Sequence, residues 1–308
     1  MSAITVKNLT KKFRLVTAVD NLSFNIEEKH VVGFLGPNGS GKTSTIRMIV
    51  GLSKPTRGTI EISGSKIEFG RSTLATHKIG YLPELPSMYD WMTGQEYLMF
   101  IAKTFGLSRK TRSLRVRELV KLVDLESSID RRIGTYSSGM KQRLGIAQAL
   151  INDPKVLIMD EPVSALDPIG RKEILNLIKK LKKNRTILLS THILTDVDRI
   201  CDDVIIINHG ELVTASPLAQ LKAKYALPIL EVDFDKNPRL MVKAIKACKW
   251  ANKVTQYGNR LKIWVTDESV IDKNIPLKFF AKNNIGISRY AVCSPEAEDI
   301  FMRLLEKE

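Results

Sequence analysis

Cysteine is scarce in this chain. Cys201, Cys248 and Cys293 stand far apart and form no CxxC pair. That spacing argues against a disulfide framework or a zinc site and fits a reducing compartment. Long apolar runs are missing: no stretch of about 18 consecutive apolar residues occurs, so no membrane-spanning helix is expected. Residues 1–10 lack the apolar segment of a secretory signal. Internal repeats and low-complexity segments are absent as well, and the composition excludes a disordered or collagenous chain. A role at a membrane therefore has to come through a partner.

The 308 residues, 44% hydrophobic and 26% charged, are enough for two domains with sizeable cores. The charge is basic, with 48 Lys+Arg against 33 Asp+Glu. From Tyr225 onward the count is 14 against 11, or +3, which leaves 34 against 22, or +12, in the first part. Such an excess permits contact with nucleic acid, anionic lipid or nucleotide, and selects none of them.

The pattern along the chain predicts strands alternating with helices. Ile4, Val6 and Leu9, then Val19, Leu22, Phe24 and Ile26, repeat with period two. The apolar runs His30–Leu35, Val156–Met159, Thr186–Leu189 and Val204–Ile207 read as strands buried on both faces. Helical spacing covers Thr43–Val50, Thr93–Val123, Gly139–Ile151 and Ile169–Leu181. The expected fold is α/β: a mainly parallel sheet covered by helices, with a β-rich N-terminal part. After Tyr225 the order β-α-β-β-α-β predicts a small ferredoxin-like α+β domain over 225–308. There Ser294 and Pro295 are expected to start the last helix, with Tyr257, Trp264 and Phe301 in the core. That domain carries no clustered chemistry, so a structural or regulatory role is expected of it.

Gly36-Pro37-Asn38-Gly39-Ser40-Gly41-Lys42-Thr43 matches GxxxxGK[ST] between a strand and a helix. Its glycines let backbone amides close around phosphate oxygens at a helix N-terminus. Lys42 would reach the β- and γ-phosphates, and the Thr43 hydroxyl would ligate Mg²⁺. Asp160 and Glu161 end an apolar strand, at the edge where such sheets bind ligands. Asp160 suits Mg²⁺, directly or through water, which leaves Glu161 to polarise an attacking water.

These motifs together resemble the nucleotide-binding subunit of an ABC transporter, over most of residues 1–220. Tyr136-Ser-Ser-Gly-Met140 resembles the family signature, matching at Ser137 and Gly139 and departing at Ser138 and Met140. Ser164-Ala-Leu-Asp167 matches the D-loop that crosses the dimer interface, and His192 matches the switch histidine at the γ-phosphate. Phe13 aligns with the aromatic residue that stacks on adenine.

The resemblance implies a P-loop ATPase domain over residues 1–224, with a helical subdomain at about 85–150. It also implies ATP and Mg²⁺ as ligands. ATP would be held by Phe13, the loop from Gly36 through Thr43, Ser44, Ser137 and Gly139. Glu161 and His192 would be catalytic, and Thr43, Glu84 and Asp160 would serve the metal. Glu84 stands where the family most often has Gln, so hydrogen bonding there must differ, because an ionised carboxylate only accepts.

Glu84, the signature variant and the small C-terminal domain resemble an exporter branch whose permease is a separate chain. The implied partners are a second copy or a paralogous subunit, in an ATP-dependent dimer, and that permease at the cytoplasmic face of the plasma membrane. By themselves Leu85, Met88, Tyr89, Trp91 and Met92 read as a satellite cluster folded under or as a patch for a partner, and the resemblance implies that they dock the permease. A cytosolic ATPase acting on nucleic acid or ribosomes is the alternative, resting on the basic run Arg109–Arg117. No aromatic platform accompanies that run, which reads as a solvated helical face. No room exists between Thr43 and Ser137 for the coiled coils of DNA-repair ATPases, and the chain holds one cassette.

Overall fold

A computed structural model describes residues 2–71, 73–164, 166–225, 228–283 and 286–305. The chain divides into two compact units, Met1–Leu218 and Ala219–Glu308. The first opens with β1 (Ser2–Phe13), β2 (Val16–Glu27), β3 (Val31–Leu35), α1 (Lys42–Ile49), β4 (Arg57–Ile62), β5 (Ser65–Lys66), α2 (Leu74–His77) and β6 (Ile79–Leu82). Three longer helices follow: α3 (Gly94–Thr104), α4 (Arg109–Leu122) and α5 (Ser138–Ala149). The unit closes with β7 (Val156–Asp160), α6 (Pro168–Leu181), β8 (Thr186–Ser190), α7 (Leu194–Ile200), β9 (Asp203–Asn208) and β10 (Glu211–Pro217).

Two sheets result. One has the order β2-β1-β4-β5 and is antiparallel. The other has the order β10-β9-β3-β8-β7-β6, parallel except for its edge strand β10. The parallel strands are apolar on both faces because both are covered. Ile158 and Leu188 point into a core shared with Ile4, Val6, Phe24 and the α1 residues Ile46 and Met48. Their neighbours Leu157, Met159, Ile187 and Leu189 point the other way, into a core with Leu98, Leu119, Leu144, Ile174 and Ile178. The helical pattern over Thr93–Val123 is two helices rather than one. Gly106, at φ 75°, follows α3, and the Ser108 hydroxyl caps α4 by accepting from Thr111 N–H.

The helix α8 (Leu218–Lys224) leads to β11 (Ile229–Phe234), α9 (Arg239–Lys246), β12 (Ala251–Tyr257), β13 (Arg260–Val265), α10 (Ser269–Asp272), α11 (Ile275–Lys282), β14 (Ile287–Cys293) and α12 (Ala297–Leu305). The second unit's sheet is antiparallel throughout, in the order β12-β13-β11-β14. Leu230, Val232, Leu261, Ile263 and Phe280 lie in its core.

Two expectations fail in this unit. Tyr257 is 62% exposed, because strand parity turns it away from the buried Val254 as β12 reaches its hairpin. Trp264 is half-buried, under the ammonium groups of Lys253 and Lys262, each 5.6 Å from its ring centre, and Phe301 is also half-buried. The last helix starts at Ala297, two residues beyond Pro295: Glu296 takes the capping position, its N–H bonded by the Asp299 carboxylate.

Gly80 in β6 governs how α5 meets the sheet. A Cβ there would stand 2.0 Å from the Ala149 carbonyl oxygen and 2.8 Å from Pro154 Cγ. Bare backbone is the only thing that fits beneath the end of α5. Gly80→Ala is therefore expected to destabilise the first unit by about 1–3 kcal/mol, read as a lowered midpoint in chemical denaturation. An unchanged midpoint would show that the contact relaxes freely.

Candidate functional site

The site collects at the C-terminal ends of the parallel strands, where β3, β7 and β8 run side by side. Their loops leave the sheet there, and the loop after β3 is the glycine-rich turn. Gly41, at φ 101°, precedes α1, and a Cβ on it would stand 2.4 Å from the Ala18 carbonyl oxygen of β2. A side chain at this position is strained by its backbone and blocked by its neighbour. The loop is anchored further by Gly210 N–H, which donates to the Ser40 carbonyl at 3.1 Å.

Lys42 begins α1 and is buried. Its Nζ donates to the carbonyl oxygens of Gly36 (2.7 Å) and Pro37 (3.1 Å), spanning the loop from inside. Burial pushes its pKa below the ordinary lysine value, while the charges of Glu161, Asp160 and Glu84 pull upward. Among the described residues, the three acids that act on this lysine are the three singled out in the sequence. The Ser40 and Thr45 hydroxyl oxygens nearby are buried and have no partner among the described residues. Gly36 is buried, whereas Pro37, Asn38, Gly39 and Thr43 are exposed at the mouth of the loop and Ser44 is half-buried.

Asp160 ends β7 and is 2% exposed. A carboxylate so buried needs partners. It receives the Ser190 hydroxyl proton at 2.5 Å, from the residue opposite it in the parallel register with β8. The same hydroxyl oxygen accepts the Glu161 N–H at 3.0 Å.

Glu161 turns to φ 48°, a left-handed conformation that costs a non-glycine residue of order 1–3 kcal/mol. Both sides of its peptide are held. The amide is bonded to Ser190, and the carbonyl accepts from Ser164 N–H (3.3 Å) and Ser164 Oγ (3.2 Å). The turn carries the Glu161 side chain out of the strand to His192, whose Nδ1 lies 2.9 Å from Oε2. Glu84, beyond β6, is exposed.

The chain does not bring every predicted residue to one place. Ser137 caps α5, accepting from Met140 N–H at 3.2 Å, which leaves its hydroxyl proton free to donate. None of the contacts described for Ser137 or Gly139 reaches residues 36–44. The signature turn instead lies by the loop after β7, where Gln142 Nε2 donates to the buried Pro162 carbonyl at 2.8 Å. Asp167 caps α6 through Gly170 N–H at 3.0 Å, and Ala165 of the predicted Ser164–Asp167 segment lies outside the described residues. Phe13 ends β1 half-exposed, with Lys11 Nζ 4.8 Å from its ring centre.

Sequence reasoning gives no role to Ser190 or to Gln142. An apolar strand ending in serine just before His192 is the signal for the first; the second carries none by itself.

Chemically, the arrangement offers amides and a lysine for phosphate oxygens, a buried carboxylate bonded by the Ser190 hydroxyl, and a second carboxylate paired with an imidazole. Among the described residues, no group of three or more His, Cys, Asp or Glu side chains is placed to hold a metal by itself. Among the described residues, no helix is long and apolar enough to cross a membrane.

Comparison with known proteins agrees with this chemistry. Residues 19–164 match the ABC transporter family. The chain is 46% identical over 219 residues to the uncharacterised ABC transporter ATP-binding protein YxlF of Bacillus subtilis, covering 71% of this chain and 72% of that protein. It is 36% identical over 306 residues to the bacitracin transport ATP-binding protein BcrA of Bacillus licheniformis, covering 98% and 97%. Among solved structures it is similar to an ATP-binding cassette dimer in a post-hydrolysis state bound to ADP and Pi. That match has a TM-score of 0.64 and 28% identity, and covers 70% of this chain and 98% of the other.

Removing the Ser190 hydroxyl strips a partner from the Asp160 carboxylate and from the Glu161 amide together. Ser190→Ala is expected to cost about 1–3 kcal/mol of stability, visible as a lower thermal midpoint. A midpoint equal to that of the parent chain would mean that the bridge carries no energy.

Proposed function

The chain belongs to the ABC transporter family as an ATP-binding, ATP-hydrolysing subunit, and from that premise we propose how its residues divide the work. Two copies, or one copy and a paralogous subunit, would bind ATP between them and power a separate permease at the cytoplasmic face of the plasma membrane. The direction of transport would be export. One observation supports this best: Lys42, Asp160, Glu161 and His192 converge at the strand ends, while Ser137 and Gly139 do not. A phosphate site separated from its signature turn in the same chain fits completion by a second chain.

In this reading the loop amides and Lys42 bind the β- and γ-phosphates of ATP, Phe13 stacks on the adenine, and His192 contacts the γ-phosphate. Glu161 takes a proton from the attacking water, its carboxylate aimed by the held peptide and by His192. Ser164 and Asp167 lie at the interface between subunits.

The donor set also fits Mg²⁺. Thr43 offers an exposed hydroxyl, Asp160 a buried carboxylate and Glu84 an exposed one, all hard oxygen donors. Held there, the ion would neutralise charge on the phosphate oxygens. The alternative of an ATPase acting on nucleic acid receives no support from the relatives.

We read residues 1–224 as the ATP-binding domain and 225–308 as a ferredoxin-like domain of structural or regulatory role. The antiparallel order β12-β13-β11-β14 supports the ferredoxin-like part.

Permease docking falls to the stretch after Glu84. Leu85, Tyr89 and Trp91 are exposed, Trp91 by 68%, while Met88 and Met92 pack against the core beneath. Tyr89 is braced by ring contacts to Trp91 (5.9 Å), Tyr97 (6.3 Å) and Phe100 (6.0 Å). Tyr97 is fixed in turn by its hydroxyl, which donates to Gln148 Oε1 at 2.8 Å, and burial pushes that phenol up to about 12. A rigid, exposed aromatic group suits the centre of an interface.

Two outcomes test this reading. Glu161→Gln is expected to lower turnover by about 10²–10⁴-fold while ATP still binds, and to form dimers with ATP by light scattering; Lys42→Ala should lose binding instead. Wild-type turnover in Glu161→Gln, or a strictly monomeric protein at saturating ATP, would refute the assignment. Tyr89→Ala with Trp91→Ala should reduce co-purification with the permease and spare ATPase activity of the isolated subunit. Unchanged co-purification would move the docking site elsewhere.

A further inference from the structure

The basic run at Arg109–Arg117 is left over by the function proposed above. It lies in α4, and residues 97–117 contain six cations (Lys103, Arg109, Lys110, Arg112, Arg115 and Arg117) and no acid. Arg115 is used internally: its guanidinium donates to the Leu150 carbonyl (2.7 Å) and Asp153 (3.1 Å). Lys103, Arg109, Lys110, Arg117 and Lys121 are exposed and form no ion pair with any described residue. Arg109 and Lys110 stand in the first turn, where a helix favours anions and where α4 has no acid. The chain thus holds positive charge where its own backbone disfavours it.

The spacing sorts these side chains. Val116, Leu119 and Val120 turn inward and are buried. Lys110, Leu114, Arg117 and Lys121 recur at helical intervals on the opposite face, with Leu114 54% exposed between the cations. Glu118, beside that stripe, is drawn toward Arg115 (3.4 Å). The helix packs on α3, which carries Phe100 in contact with the proposed permease-docking residue Tyr89.

We propose that the outer face of α4 binds the headgroups of an anionic lipid surface, so that, against the expectation that a membrane role comes only through a partner, the subunit touches the bilayer itself as well as its permease. Lipid fits this face better than nucleic acid does. A single strand needs aromatic planes on which bases stack, and the stripe itself presents no ring but a cluster of cations, the feature that an anionic lipid surface attracts. The proposal rests on the reading above only for the presence of a membrane nearby.

The test uses the full chain and permease-free vesicles, so that its result is independent of permease docking. Binding is measured by flotation with phosphatidylcholine vesicles, with and without phosphatidylglycerol. The wild-type chain should bind only the anionic vesicles and release with added salt. Lys110→Ala, Arg117→Ala and Lys121→Ala combined should weaken binding by about a hundredfold, at about fivefold for each cation. Their ATPase activity and circular dichroism should match wild type, because none of these residues lies at the nucleotide site.

Equal binding to neutral and anionic vesicles, or no loss in the triple variant, would overturn the proposal. So would salt-dependent binding of a single-stranded oligonucleotide that the triple variant loses, with no vesicle binding by wild type.

Discussion

A single hydroxyl holds the ends of two neighbouring strands in a fixed relation, and the geometry of the site depends on it. Ser190 donates to Asp160 and accepts from the Glu161 amide. The parallel register of β7 and β8 sets it opposite Asp160. Without that bridge a buried carboxylate would lack its donor, and the left-handed turn at Glu161 would lose its main restraint. The turn matters because the residue after Asp160 would otherwise continue the strand. Bent at φ 48°, the chain keeps one carboxylate inside the sheet edge and presents the other to His192. Two adjacent acids thereby acquire different surroundings, which is the precondition for giving them different tasks.

The same logic extends outward through short polar links. Gln142 ties the signature helix to the backbone just after Glu161, and Ser164 returns from the next turn to hold the Glu161 carbonyl. Lys42 closes the phosphate loop on itself with two carbonyl bonds. Burial lowers its pKa, and the three nearby acids partly restore it. The charges are thus mutually supporting across the strand ends rather than collected as isolated pairs.

The legible parts of the sequence were those that act locally. The phosphate loop is eight contiguous residues between a strand and a helix, so spacing alone conveys it. Asp160 and Glu161 show because an apolar run stops at them. Ser190 and Gln142 take their meaning from partners 30 and 20 residues away, and only sheet register or helix packing reveals those. The errors also have local causes. Aromaticity alone places Tyr257 in the core, yet alternation along β12 from Val254 turns it outward. Ser294-Pro295 has the composition of a helix start, yet the carboxylate of Asp299 captures the amide at Glu296 and sets the start later. Thr93–Val123 kept one periodicity across a break that Gly106 imposes.

Gly80 has a mechanical consequence. The end of α5 rests on bare β6 backbone, with no side chain between them to yield. Nearer its start, the same helix is fastened by Gln142 to the loop that leaves β7. A rod seated at one end and fastened near the other has little play. The end of β7 is thereby coupled to the signature turn through the Gln142 link and the bare backbone contact. The serine at the tip of α5 thus works as a pointer on a stiff arm, set by the strand that carries the two acids.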